Sequence, residues 1–256
     1  MKKPIVVALC ALAAGFALAA CGDGDNSKNG NSSSASDGLP QGSEPVDLNP
    51  ADFSIEIDNP YWPMKPGSSW TFEETNTKGD RERVVTEVTN RTKMTAAGIE
   101  ARVIQDSARE DGKPVEITDD WYAQDKDGNL WYFGEAVSNY ENGKLVDHKG
   151  SWEAGVRGAQ AGIAMPADPE PGMFYRQEYS KGVAEDHGAI VTVGKEKVEV
   201  PFGFFNKGVL MTRDTAPIEP KVEELKFYAP NVGPVLSVHT DGDGGRAELL
   251  SYKPGG

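Results

Sequence analysis

The sequence predicts a mostly β fold: an antiparallel meander forming a barrel, half-barrel or sandwich, with one long Ala/Gly/Pro loop and at most short helices. Two observations carry this. Stretches alternating apolar and polar residues, rich in aromatic and β-branched types, recur at roughly 8–12-residue intervals with Gly-rich turns between them. Nowhere does an apolar stripe of helical period persist for several turns. In chain order, Ser69–Glu73, Glu82–Val88, Ala101–Ile104 and Val115–Tyr122 read as strands. The strongest hairpin follows: Trp121-Tyr122-Ala123-Gln124, a turn at Asp125-Lys126-Asp127-Gly128-Asn129, and Leu130-Trp131-Tyr132-Phe133. Asp-Gly marks the turn because glycine adopts positive φ at no steric cost. A second hairpin turns at Asn142-Gly143. Ala154 to Pro171 breaks the pattern and reads as the long loop, since Gly155, Gly158 and Gly162 disfavour a helix. Strands resume at Met173–Tyr179, Ile190–Val193, Lys197–Val200, Val209–Thr212, Val222–Tyr228, Val235–Thr240 and Arg246–Tyr252, with a turn at Asp241–Gly245. Successive hairpins favour antiparallel neighbours.

The N-terminus has a different character. Lys2 and Lys3 precede an apolar run from Ile5 to Leu18, and the small residues Ala19 and Ala20 lead into Cys21. The run is shorter than the ~18–20 residues a bilayer span needs, so it reads as a secretory signal. Leu18-Ala19-Ala20-Cys21 resembles the bacterial lipoprotein lipobox. The resemblance implies that residues 1–20 are removed and that Cys21 is lipidated and becomes the first residue. Two or three acyl chains anchor stably where one does not. The expected location is therefore exported and anchored to a bacterial membrane, either the outer membrane or the outer face of the cytoplasmic membrane. Gly22 after the cysteine resembles the outer-membrane pattern. Asn26 to Asn49 is rich in Ser, Gly, Asn, Asp and Pro and cannot bury enough apolar surface to offset its ordering entropy. The expected organisation is a signal peptide at 1–20, a lipid-anchored tether at 21–51 and one β-rich domain at 52–256.

Further segments carry a second resemblance. Gly150-Ser151-Trp152-Glu153-Ala154-Gly155, Met173 to Tyr179, Ala184-Glu185-Asp186-His187 and the Trp121–Glu135 hairpin resemble uncharacterised bacterial lipoproteins and exported proteins. Val200 to Phe205 with Phe227 to Val235 resembles the C-terminal half of many exported β proteins, some of them similar to lipoprotein-carrier half-barrels. These resemblances imply a concave apolar sheet and no known reaction.

Composition narrows the function classes. Net charge is −14, and loss of Lys2 and Lys3 takes it to about −16. Such a chain is repelled by nucleic acid, so no nucleic-acid partner is expected, and the acidity reads as a solvated surface. The cysteines are Cys10 and Cys21 alone. Once the first is cleaved off and the second acylated, the exported domain has no thiol for a disulfide, a thiolate metal site or a nucleophile.

Candidate chemistry is sparse. Asp125, Asp127 and Asn129 present alternate oxygens, as a calcium loop does, but position twelve from Asp125 is Ala136 where such a loop needs Glu. A plain turn is the simpler reading, and no cofactor is expected beyond that candidate Ca²⁺ site. Glu178, Glu185, Asp186 and His187 cluster without zinc-site spacing, and no Gly-x-Ser-x-Gly is present. Acidic pairs suited to a glycosidase arise by chance among 40 acidic residues. Trp121, Tyr122, Trp131, Tyr132 and Trp152 are more informative. Adjacent rings put aromatics on both faces of one hairpin: one face is core, and the other is covered by the Ala154–Pro171 loop or lines a ligand cleft. Arg176 either pairs internally or grips an anionic ligand. Tyr61 to Met64 reads as a plug at the barrel end. The function expected is a non-enzymatic envelope binding module for an apolar or amphipathic small molecule, a lipid or an envelope protein. The alternatives are an envelope hydrolase using acidic residues and a structural or assembly lipoprotein.

Overall fold

The computed structural model describes residues 38–240 and 244–256. A short 3₁₀ turn at Pro50–Asp52 is capped by the Asn49 side chain, which accepts the Ala51 N–H at 3.2 Å. The other regular elements are strands: β1 Phe53–Ser54, β2 Ser69–Asn76, β3 Arg81–Met94, β4 Glu100–Glu110 and β5 Lys113–Asp125. Next come β6 Leu130–Glu141, β7 Lys144–Asp147, β8 Trp152–Glu153, β9 Gln160–Met165 and β10 Phe174–Ser180. The last five are β11 Ala184–Val200, β12 Gly203–Thr215, β13 Glu223–Ala229, β14 Gly233–His239 and β15 Gly245–Lys253.

Twelve of these, β2 to β6 and β9 to β15, form one antiparallel up-and-down meander. β15 pairs with β2 from Gly245↔Asn76 to Lys253↔Ser69, which closes the sheet into a barrel and decides among the three architectures expected. β1 extends β5, while β7 and β8 extend β6. Closure leaves the twelve strands no free edge and gives every strand an inside and an outside face at a period of two. On β2, Trp70, Phe72 and Glu74 stand opposite Thr86, Val84 and Glu82 of β3, and all six are buried.

One end of the lumen is packed with aromatic rings. Trp62 enters between Tyr122 and Tyr228, 5.9 Å from each ring centroid, and Tyr122 stacks on Tyr132 at 4.7 Å. Trp152 meets Tyr132 edge-on at 5.5 Å. The Trp70 Nε1–H donates to the Val232 carbonyl at 2.7 Å. Trp62 and Met64, from the segment ahead of β2, are almost wholly buried and lid this aromatic end.

Two parts of the chain differ from expectation. Ala154–Pro171 is not one loop, because it contains β9, which joins β6 to β10 and so completes the wall. Its glycine is there for close approach, since a Cβ on Gly162 would lie 2.2 Å from the Gln177 carbonyl oxygen. Gly134, at φ +123°, serves β8 in the same way: a Cβ there would lie 2.4 Å from the Trp152 oxygen.

The second difference is that packing begins at Leu39 rather than at Asp52. Leu39, Val46 and Leu48 rest on the core, and Arg176 holds this strap. Its backbone N–H donates to the Pro40 carbonyl at 2.7 Å. Its guanidinium, fully buried, donates to the carbonyls of Gly42, Glu44 (2.9 Å) and Ala161 (2.7 Å). The signal segment 1–20, Cys21, Asp241 and Asp243 lie outside the described residues.

Gly162→Ala forces backbone apart at the β9–β10 seam and is expected to destabilise the barrel by about 2–3 kcal/mol. Gly203→Ala, whose Cβ would meet nothing within 4 Å, should change stability by less than about 0.5 kcal/mol. Urea unfolding midpoints of the two variants measure the contrast.

Candidate functional site

Along the strands, the inward face changes from apolar to acidic. On β2 the sequence of inward residues is Trp70, Phe72, Glu74. On β5 it runs from Tyr122 through Asp120 and Thr118 to Glu116, and on β13 from Tyr228 through Lys226 to Glu224. Strand pairing joins these acids into a belt: Glu74↔Glu82, Asp120↔Glu135, Glu178↔Asp186 and Asp214↔Glu224 sit directly opposite one another. Asp106 lies opposite Thr118. The four facing pairs are buried, with Glu74 at 1%, Glu82 at 4% and Asp214 at 2% exposure.

Ionised carboxylates facing each other in a dry lumen would repel, and burial disfavours their charge. Burial first, then like-charged neighbours, push Glu82 to about 8. Burial pushes Asp106 to about 7 against a Thr86 hydrogen bond that favours its charge. Burial, followed by repulsion from neighbouring acids, raises Glu74, Asp120, Glu135 and Glu178 well above the usual carboxylate range. Burial also raises Glu116 and Asp186. Glu219, in the β12–β13 loop over this end, is raised by burial and then by Asp186, which puts that loop beside the belt.

One side of the belt has its own cation. Lys226 Nζ lies 2.9 Å from Asp214 and 3.2 Å from Glu224. Glu224 also accepts from the Ser237 hydroxyl and has His239 Nε2 at 3.7 Å. On the other side, Tyr132 donates to Asp120 Oδ1 at 2.6 Å. Among the described residues, both Glu74 oxygens, Glu135 Oε1, Asp120 Oδ2 and the Tyr175 hydroxyl have no hydrogen-bond partner. Buried polar atoms are ordinarily satisfied, which sets these atoms apart. A twelve-strand barrel is also wider than the eight-strand size that side chains fill unaided. Glu82 further lines an open depression of about 360 Å³ with Arg81, Arg83 and Arg109, which brings the belt to the rim.

The residues singled out by sequence divide between places. Tyr122, Tyr132 and Trp152 belong to the lumen. Trp121 and Trp131 face outward: Lys93 Nζ sits 4.4 Å from the Trp121 ring, and Phe53 of β1 packs edge-on against Trp131 at 6.0 Å. On the outer face of the hairpin Phe53 and Lys93 thus cover these rings, while the Ala154–Pro171 segment pairs along its edge through β9. Arg176 serves the strap rather than the lumen. Asp125 Oδ1 accepts the N–H groups of Asp127 (3.0 Å) and Asn129 (2.8 Å). Its Oδ2 accepts from Asn129 Nδ2 (2.9 Å) and Trp131 Nε1 (2.7 Å), while Asn129 Oδ1 receives the Ala167 N–H at 2.9 Å. Those oxygens are spent on a turn, and among the described residues no three metal-ligating side chains converge. The Glu178–His187 cluster also splits: Glu178 and Asp186 join the belt, whereas His187 faces the Gln41 carbonyl at 2.9 Å and stacks on Phe174. The belt's signal in the sequence is the set of period-two faces that begin apolar and end acidic.

The raised carboxyls fix a direction for stability. They are neutral in the fold and ionise near pH 4 in the unfolded chain. Their contribution is therefore full below about pH 4 and is lost as pH climbs through the folded values of about 7 and 8 given for Asp106 and Glu82. Stability at pH 5 should exceed that at pH 8 by on the order of a few kcal/mol. Urea midpoints across that range test this, and a rise toward pH 8 would contradict it.

No known protein-family model matches the chain, and no curated protein does. Three solved structures are similar to it over most of its length. One is described as an exported protein with YmcC-like fold from Bacteroides fragilis, at 15% identity and TM-score 0.41, covering 77% of this chain and 100% of that one. Another is described as a lipoprotein from Parabacteroides distasonis, at 14% identity and TM-score 0.40, covering 75% and 98%. The third is a β-barrel-like protein of domain of unknown function DUF1849 from Brucella abortus, at 15% identity and TM-score 0.34, covering 74% and 98%.

Proposed function

We propose that this protein is a non-enzymatic binding module of the bacterial cell envelope, held to a membrane through lipidated Cys21, whose barrel lumen takes a small amphipathic molecule. One observation carries the binding reading: a closed lumen, aromatic at one end and carboxyl-lined at the other, with buried polar atoms on Glu74, Asp120, Glu135 and Tyr175 that have no partner among the described residues. Two-ended polarity of this kind suits a ligand with an apolar part and a polar head. The anchor rests on the Leu18-Ala19-Ala20-Cys21 sequence.

The paired carboxyls Asp120–Glu135 and Glu178–Asp186 are what an acid–base hydrolase would also use. Binding also accounts for the unpartnered atoms of Glu74 and Tyr175, which belong to neither pair.

Cys21→Ser should move the protein from the membrane to the soluble fraction, and continued membrane fractionation would remove the anchor from the proposal. Native mass spectrometry of the detergent-extracted lipoprotein should find an extra mass of several hundred daltons that denaturation releases. The acylated polypeptide alone would overturn small-molecule binding in favour of an assembly role.

A further inference from the structure

We propose that the depression bordered by Arg81, Arg83 and Arg109, on the outer wall of the barrel, binds a terminal phosphate group. The site lies outside the lumen and is independent of what the lumen holds.

Alternation on β3 turns Glu82 and Val84 inward, where both are buried, and leaves Arg81 and Arg83 exposed on the outside. Arg83 stands directly opposite Arg109 of β4. Like charges so placed repel and destabilise a sheet unless something neutralises them. On its other flank Arg83 faces Glu73 of β2, but Glu73 Oε1 is taken by Arg81 Nη1 at 3.2 Å. Among the described residues the Arg83 guanidinium has no ion pair, and its N–H donors are free for a ligand. Arg109 has no acid either. Its Nη1 reaches only the Gly112 carbonyl, at 3.4 Å, in the Asp111–Gly112 turn between β4 and β5. The β4–β5 ladder shifts register between Ala108 and Arg109, and an irregularity of this kind re-aims the side chain beside it. The three arginines, Glu73 and the turn enclose an open depression of about 360 Å³, a size usual for ligand sites.

Two guanidinium forks on facing strands define the ligand. Each fork matches a pair of oxygens on one group. A carboxylate has two oxygens and satisfies a single fork. A terminal phosphate has three free oxygens and about two negative charges near neutral pH, so it engages both forks and cancels the repulsion between them. Arg81, held by Glu73, adds positive charge at the edge. Asp111, in the exposed turn, is the acid that works against an anion here. The rest of the depression leaves room for the body of a phosphate ester. Such a phosphate arrives on a soluble ester or on a lipid headgroup, and the group recognised is the same.

The test is titration calorimetry of the detergent-extracted lipoprotein with inorganic phosphate and with glycerol 3-phosphate, in about 0.15 M sodium chloride to screen unspecific attraction. Both should bind saturably and raise Tm. Arg83→Gln and Arg109→Gln should each weaken binding about tenfold or more. Arg213→Gln, an exposed arginine of β12, should leave it unchanged. Asp111→Asn should tighten it about threefold. Without phosphate, Arg83→Gln should melt no lower than the native chain, because it relieves a like-charge contact. Circular dichroism checks each fold, and either arginine variant suffices should the other misfold. Phosphatidic acid added to the micelles separates the sources: displacement of glycerol 3-phosphate assigns the site to a lipid headgroup, and no displacement to a soluble ester. Succinate binding as tightly as glycerol 3-phosphate would overturn the phosphate. Undiminished binding in both arginine variants would overturn the site, as would neither heat nor a Tm shift from either phosphate.

Discussion

Closure of the sheet governs everything else in this molecule. Once β15 hydrogen-bonds to β2, each of the twelve strands must choose which alternate residues to bury, with no edge left to release strain or polarity. A one-residue slip anywhere would carry the belt acids outward and bring Arg83 or Glu73 in. The registers of the hairpins are therefore held by one another around the ring. The strained approaches at Gly134 and Gly162 follow from the same demand, because the wall between β6 and β10 is completed by short pieces that must come close.

The acid belt is the costly consequence. Facing carboxyls such as Glu178 and Asp186 are tolerable because burial keeps them protonated, and a protonated acid can donate as well as accept. Lys226 does the same by a different route on β13, where its ammonium neutralises two acids at once. The two solutions meet within one belt, since Glu224, which Lys226 pairs with, is among the acids that raise Glu74.

Much of the architecture was legible in the sequence because turns and alternation are local signals. Asp125 to Asn129 makes the turn its glycine and asparagine announce, with the Asp125 carboxylate collecting the turn's own donors. The Ala154–Pro171 segment misled because glycine is ambiguous: at Gly162 it marks a near collision with β10 rather than an irregular chain. Arg176 could not be assigned because its partners are backbone carbonyls of a strap more than a hundred residues earlier, which no side-chain pattern announces. The belt was hidden by a reasonable prior that acids are solvated. Trp70, Phe72 and Glu74 share one face by the period of two, which ties the acid to the core-facing side of the strand.

The even number of strands has a consequence for how such a chain can be rearranged. Up-and-down order returns the last strand to the end where the first began, and the Gly255 N–H donates to the Ser68 hydroxyl at 2.8 Å. The ring is thus nearly a closed loop of covalent as well as hydrogen-bonded structure. A circular permutation that joined the chain near Gly255 to Ser68 and opened it at the Asn142–Gly143 turn would keep all twelve wall strands and their pairing with one another, while dropping β1, the strap and the Trp62 lid that precede Ser68.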